Sequence, residues 1–207
     1  MVVARVRSTS AELLSKLPVT FKDLYAGQCA TFSSLKRQTE WIATRLLFHN
    51  LLGLNVPLTY TDKGKPILED GSAFVSISHT SNYVAVMLHP SNSVGIDVER
   101  LHPRVKKVIS RFMRSDETAL VYKGTDLWSL LLIWSAKESV YKAMCNPSSD
   151  LLLLRVLPFV PQNSGVLHLQ SLAYPTQSFI VGYRLFPEFV LTYTVNEVCT
   201  DRGVKGI

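Results

Sequence analysis

Cysteine is scarce: Cys29, Cys145 and Cys199 are the only three in 207 residues, widely separated and with no C-x-x-C pair. That excludes a disulfide framework and a zinc ribbon, which need more and closer thiols. It also points to a reducing compartment. Long apolar runs are missing too: stretches such as Leu130–Trp134 and Leu151–Leu154 fall far short of the roughly 20 residues that cross a bilayer. Arg5 and Arg7 stand where a secretory signal needs an apolar stretch. There is no Walker A or G-x-G-x-x-G string, no internal repeat and no low-complexity segment. These absences predict a cytoplasmic protein that does not enter a membrane.

What is present describes an ordinary globular chain. It is 47% hydrophobic and 18% charged, which rules out disorder, and its length allows one to two domains. The net charge of +6 favours an anionic partner without saying which.

Periodicity predicts a strand at Val2–Val6, a short helix capped by Ser10, and one long helix from Ser34 to Leu52 that Gly53 stops. A strand at Val56–Tyr60 and a turn at Thr61–Pro66 follow. Further strands are expected at Phe74–Ser78, Tyr83–Leu88 and Val94–Glu99, with turns at His79–Asn82 and His89–Ser93. Pro103 opens a helix in which Val105, Val108, Ile109, Phe112 and Met113 form the apolar seam. Its other face carries Arg104, Lys106, Lys107, Arg111 and Arg114, and no acid lies between Leu101 and Ser115. Asp126 is expected to cap a helix reaching about Met144. Strands then fall at Leu151–Val156, Val166–Ser171, Phe179–Leu185 and Phe189–Val195. A long helix followed by strands occurs twice, so the expected class is α+β with two halves, 1–100 and 101–207.

Two short segments concentrate the chemistry. In Val94-Gly95-Ile96-Asp97-Val98-Glu99 the period of two puts Asp97 and Glu99 on one face. Two carboxylates about 4 Å apart repel by about 4 kcal/mol at an effective dielectric near 20. Solvent, bases or a cation must offset that. On the last predicted helix of this region Trp134, Glu138 and Lys142 recur every four residues and form one stripe. Taken singly, each string reads as a solvated edge or a surface pair. Together they supply three oxygen donors of the kind Mg²⁺ prefers, with room for water and a phosphate. Lys63-Gly64-Lys65-Pro66 and Ser76-Ile77-Ser78-His79 add donors suited to phosphate.

In this order the motifs resemble those of the 4′-phosphopantetheinyl transferases. The larger, pseudo-dimeric type, that of the surfactin synthetase activator, is the nearer one. The resemblance runs from about Lys36 to Lys142 and includes Trp41 and Arg45 on the first long helix. It implies two similar subdomains related by a pseudo-twofold, each a small, mostly antiparallel sheet against a long helix, with the active site between them. It implies a monomeric holo-carrier-protein synthase that moves the phosphopantetheine arm of coenzyme A onto a carrier-protein serine and releases adenosine 3′,5′-bisphosphate. By position, Asp97, Glu99 and Glu138 would hold Mg²⁺, with Glu99 the weakest assignment. Glu138 or a water beside it would serve as base. Lys142 would contact the pyrophosphate, Ser78 and His79 the coenzyme A phosphates, and Arg45 and Lys65 the 3′-phosphate region, with Lys36 and Arg37 as substitutes for basic residues of relatives. An acidic carrier helix could dock on Arg104, Lys107 and Arg111.

Three other readings fit parts of the sequence. A nucleic-acid-binding protein explains the charge but not the three acids, and no nucleic-acid partner is expected. A degenerate relative that binds coenzyme A or a carrier without transfer has Asp97, Glu138 and Lys142 against it. A Mg²⁺-dependent phosphohydrolase differs only in using water as acceptor.

Overall fold

This computed structural model describes residues 1–51, 53, 56–144 and 150–196. Cys29 is a buried free thiol, while Cys145 and Cys199 lie outside the described residues.

Side-chain caps start the N-terminal helices. Thr9 Oγ1 accepts the Glu12 amide while the Glu12 carboxylate takes the Thr9 amide. This reciprocal pair, rather than Ser10, caps α1 (Ser10–Ser15). No clear apolar period marks α2 (Val19–Ala30): Phe21, Tyr25 and Cys29 are buried at four-residue spacing, but Val19 and Leu24 face water. Ser34 Oγ accepts the Arg37 amide and starts α3 (Leu35–Leu46). The helix expected to run unbroken to Leu52 becomes a π-helical turn at Leu47–Leu51, which carries Phe48 and His49 into the core. There the His49 Nε2 lies 2.9 Å from the Tyr25 hydroxyl. Gly53 follows with φ of +65°, the left-handed conformation that favours glycine past a helix end.

The strands are β1 (Val2–Arg5), β2 (Leu58–Tyr60), β3 (Pro66–Leu68), β4 (Phe74–Thr80), β5 (Tyr83–His89), β6 (Ser93–Arg100), β7 (Leu154–Val156), β8 (Ser164–Ser171), β9 (Ser178–Leu185) and β10 (Phe189–Asn196). They form two antiparallel five-stranded sheets in the orders β1-β5-β4-β3-β2 and β6-β10-β9-β8-β7. The second order is the first shifted by five. In both, an edge strand leads into the helices, and the later strands meander back so that the last of them pairs with the first. The protein is therefore α+β with two similar halves. β6 pairs with β10 along its whole length and is the counterpart of β1, so the sheets divide between β5 and β6 rather than after residue 100.

Three further expectations are corrected. His79 is strand, not turn, because β4 runs to Thr80 and the hairpin closes through Ser81, at φ of +51°, and Asn82. The basic segment after Pro103 is a 3₁₀ helix, Pro103–Arg111, capped by the His102 ring. Three residues per turn align Val105 with Val108 and turn Ile109 outward, 37% exposed. Asp126 does not cap α4 (Leu127–Ala143): its carboxylate is 2.6 Å from Lys106 Nζ, and Thr125 Oγ1 accepts the Leu127 amide instead.

Each sheet packs a long helix. Trp41, Ile42 and Leu47 meet Val75, Val84 and Val86 in the first half. Leu130, Ile133, Ala136 and Val140 of α4 meet Leu167, Val181 and Val190 in the second. A smaller cluster, including Ala85, Met87, Ile96, Val98 and Leu191, joins the two sheets. Among the described residues no helix is long and apolar enough to cross a membrane.

Candidate active site

The seam between the halves is a ladder of hydroxyls. Ser76, Ser78 and Thr80 point from one face of β4 and accept the amides of Ile96, Val98 and Arg100 at 3.0, 3.2 and 3.3 Å. The outer edge of β6 thus finds acceptors on side chains of the other sheet. On the same seam the Ser78 hydroxyl donates to Asp97 Oδ1 at 2.9 Å. Ser78, expected at a coenzyme A phosphate, here orients Asp97.

Asp97 is 3% exposed, so a solvated strand edge does not describe it. Its Oδ1 receives Ser78 and also Lys142 Nζ, at 2.7 Å, and the same ammonium donates to the Ile96 carbonyl at 3.1 Å. Its Oδ2 is buried and without a hydrogen-bond partner. Glu99, two residues on and on the same face, accepts the Trp134 indole N–H at 3.0 Å. Burial, then the Asp97 charge, pushes the Glu99 carboxyl up to about 7. Glu138 is raised in the same way, first by burial and then by Asp97. The stripe of Trp134, Glu138 and Lys142 therefore faces the acids of β6, as its spacing predicts.

Gly95 allows this approach. A Cβ there would lie 1.7 Å from the Ser139 carbonyl oxygen, so only glycine lets α4 lie against β6.

These residues suit a hard divalent cation by chemistry. An orphaned carboxylate oxygen sits in a buried site where two more carboxylates are held toward the neutral form by burial and by the charge of Asp97. They are not folded into a finished cage: among the described residues no three His, Cys, Asp or Glu side chains are arranged to hold a metal. Lys142 and the Trp134 indole occupy oxygens that such an ion would share.

The basic side of the site lies in the first half. Arg37 donates to His79 Nε2 at 2.8 Å, which makes that nitrogen the acceptor and assigns the proton to Nδ1, 3.4 Å from Glu40 Oε2. Burial moves the His79 pKa down, so the ring is neutral at pH 7. Lys36 reaches the other Glu40 oxygen at 3.8 Å. Arg45 is 1% exposed, stacked on Trp41 with its guanidinium carbon 3.1 Å from the ring centroid, and its Nε has no partner. Arg37, Arg45, Trp41, Tyr60, Gly64 and His79 line one cleft of about 150 Å³. Lys65 reaches instead to Ser93 Oγ at 3.4 Å, and burial lowers its pKa. The structure thus gathers Asp97, Glu99, Glu138, Lys142 and Ser78 at the seam and His79 with Arg45 in the cleft. Glu40, which orients His79, gave no signal in the sequence beyond its four-residue spacing from Lys36.

Comparison with known protein families gives two matches that part where the two sheets part, between β5 and β6. The 4'-phosphopantetheinyl transferase superfamily matches residues 93–194, beginning where β6 begins, and the 4'-phosphopantetheinyl transferase N-terminal domain matches residues 28–89. The chain belongs to the 4′-phosphopantetheinyl transferase superfamily. Among curated proteins it is similar to the 4'-phosphopantetheinyl transferase AcpT of Salmonella typhi, 25% identical over 112 residues that make up 51% of this chain and 58% of that protein. The AcpT of Escherichia coli (strain K12) is likewise 25% identical over 112 residues, 51% of this chain and 57% of that protein. The match spans little more than half the length of these relatives.

Proposed function

We propose that this chain is a Mg²⁺-dependent, cytoplasmic, monomeric transferase of the larger, two-halved type. It moves 4′-phosphopantetheine from coenzyme A to a serine hydroxyl of an apo carrier protein. The observation that carries the reading is the unpaired, buried Asp97 Oδ2 among two further acids, with Lys142 on the other oxygen. A nucleic-acid-binding protein has no use for three carboxylates there, since they repel phosphate.

In this reading Asp97, Glu99 and Glu138 hold Mg²⁺, which would neutralise charge on the coenzyme A pyrophosphate. Lys142 leaves Asp97 for the pyrophosphate and stabilises the charge that grows on the leaving group. The serine oxygen forms the new bond to the β-phosphorus of the pyrophosphate, the bond from that phosphorus to the bridging oxygen breaks, and adenosine 3′,5′-bisphosphate departs with the electron pair. The serine proton passes to Glu138, directly or through a water, because a carboxylate raised by burial is a better base than a free one. The Nδ1–H of neutral His79 turns from Glu40 to the phosphates of the nucleotide end, which it binds with Arg45, Arg37 and Lys65.

The carrier docks on the 3₁₀ segment. Asp126 takes up Lys106 and Asp116 takes up Arg114, while Arg104, Lys107 and Arg111 stand exposed and complement an acidic helix. Incubation with coenzyme A, Mg²⁺ and a panel of fatty-acid, polyketide and peptide-synthetase apo carriers tests the proposal. Mass spectrometry should show the phosphopantetheine mass on at least one of them. No modification of any carrier would refute it.

A further inference from the structure

α4 carries charge on two different sides. Glu138 and Lys142 face β6, but Lys137 is about 100° around the helix from Glu138 and ends at Phe112 and Glu117 instead. Its side chain has no exposed surface. Lys137 Nζ lies 2.8 Å from the Glu117 carboxylate and donates to the Phe112 carbonyl at 2.6 Å. Glu117 is equally enclosed: its side chain is 1% exposed, and its two oxygens accept the Val156 amide at 2.7 Å and the Arg114 amide at 2.9 Å. One carboxylate therefore ties together α4, β7 and the segment that follows the basic 3₁₀ helix. The Phe112 ring closes the same corner by meeting Trp134 edge-on, with centroids 5.1 Å apart.

Energy does not explain such a pair. Desolvation of two buried charges offsets much of their attraction, and well-packed apolar residues often hold a core as firmly. α4 already has an apolar seam of that kind in Leu130, Ile133, Ala136 and Val140. What hydrophobic contact lacks is direction. A lysine whose ammonium must end at one carboxylate and one carbonyl fixes the place of the segment it binds.

We propose that Lys137 and Glu117 are positioning residues, their buried pair locking the carrier-docking segment Pro103–Arg111 to α4. The inference rests on the transferase reading above. It assigns the pair to the carrier side of the reaction, because the cleft of Arg37, Arg45 and His79 belongs to the other half and is lined by none of these residues.

Lys137→Met and Glu117→Gln, assayed beside the wild type, test it with coenzyme A affinity from calorimetry and carrier kinetics from mass spectrometry. Coenzyme A affinity should stay unchanged while kcat/KM for the carrier falls by between about tenfold and a hundredfold. Equal loss in both measurements, or an unchanged carrier kcat/KM, overturns the inference. A wild type that modifies no carrier removes the transferase reading and this inference with it. A wild type that works beside variants that work equally removes the inference alone. Native-state hydrogen exchange on the wild type needs no variant to fold: the Arg114 and Val156 amides should exchange as slowly as the interior of α4. Exchange at the rate of an exposed loop overturns the pairing.

Discussion

Lys142 Nζ lies 2.7 Å from Asp97 Oδ1, so the last turn of α4 is tied by an ion pair to the middle of β6. Ser78 shares that oxygen, which leaves Oδ2 of the same buried carboxylate open. One residue therefore serves both halves of the protein and still has an unused acceptor.

Lys142→Met removes the only cation hydrogen-bonded to Asp97 among the described contacts and leaves a buried carboxylate held by Ser78 alone. Uncompensated buried acceptors cost about 1–3 kcal/mol, so urea unfolding should show a loss in that range. Transfer should fall as well, since the same ammonium is assigned to the pyrophosphate. Unchanged stability would mean that the ion pair does not persist in solution.

Glu99 sets a pH dependence. Its carboxyl is pushed up to about 7 in the folded protein by burial and by Asp97, against an ordinary value of 4.5. The folded state keeps that proton between those values while the unfolded chain releases it. Stability from this group is therefore full below 4.5 and is lost as pH rises through about 7. A cation on these acids favours the charged form, so Mg²⁺ should raise Tm more at pH 8 than at pH 5.5. An equal rise at both values would detach Glu99 from the cation.

Gly95→Ala drives a Cβ to within 1.7 Å of the Ser139 carbonyl oxygen. Backbone must move, and overpacking of this kind costs about 1–3 kcal/mol or more. Thermal unfolding of the variant should start well below the wild type, and transfer should fall with the displacement of Glu138. A variant of wild-type Tm and rate would show that α4 does not pack as described.

The hydroxyl ladder separates structure from chemistry. Ser76→Ala and Ser78→Ala each strip a buried amide of its acceptor, of Ile96 or Val98, at about 1–3 kcal/mol. Only Ser78 also holds Asp97. Both variants should lose stability, and only Ser78→Ala should lose turnover at saturating coenzyme A. Equal turnover in the two would deny Ser78 its hold on the acid.

Much of this was legible in the residues. The period of two in Val94–Glu99 and of four in Trp134, Glu138 and Lys142 put the acids and the lysine on the faces that meet. Which strand belonged to which half was not legible, because Ser93–Arg100 reads the same whether it ends one sheet or begins the next. The repeated strand order appears only through hydrogen bonding, with no repeat in sequence to announce it. α2 was hidden by exposed Val19 and Leu24. The partners of Lys137 and His79 lie 20 or more positions away, at Glu117, Phe112, Glu40 and Arg37, where spacing carries no signal.

Titration with Mn²⁺, followed by its electron paramagnetic resonance in the presence of coenzyme A, bears most directly on whether β6 and α4 share an ion. One ion should bind per chain, with affinity lost in Asp97→Asn and weakened in Glu138→Gln while both variants stay folded. Wild-type Mn²⁺ affinity in folded Asp97→Asn and Glu138→Gln would contradict the account.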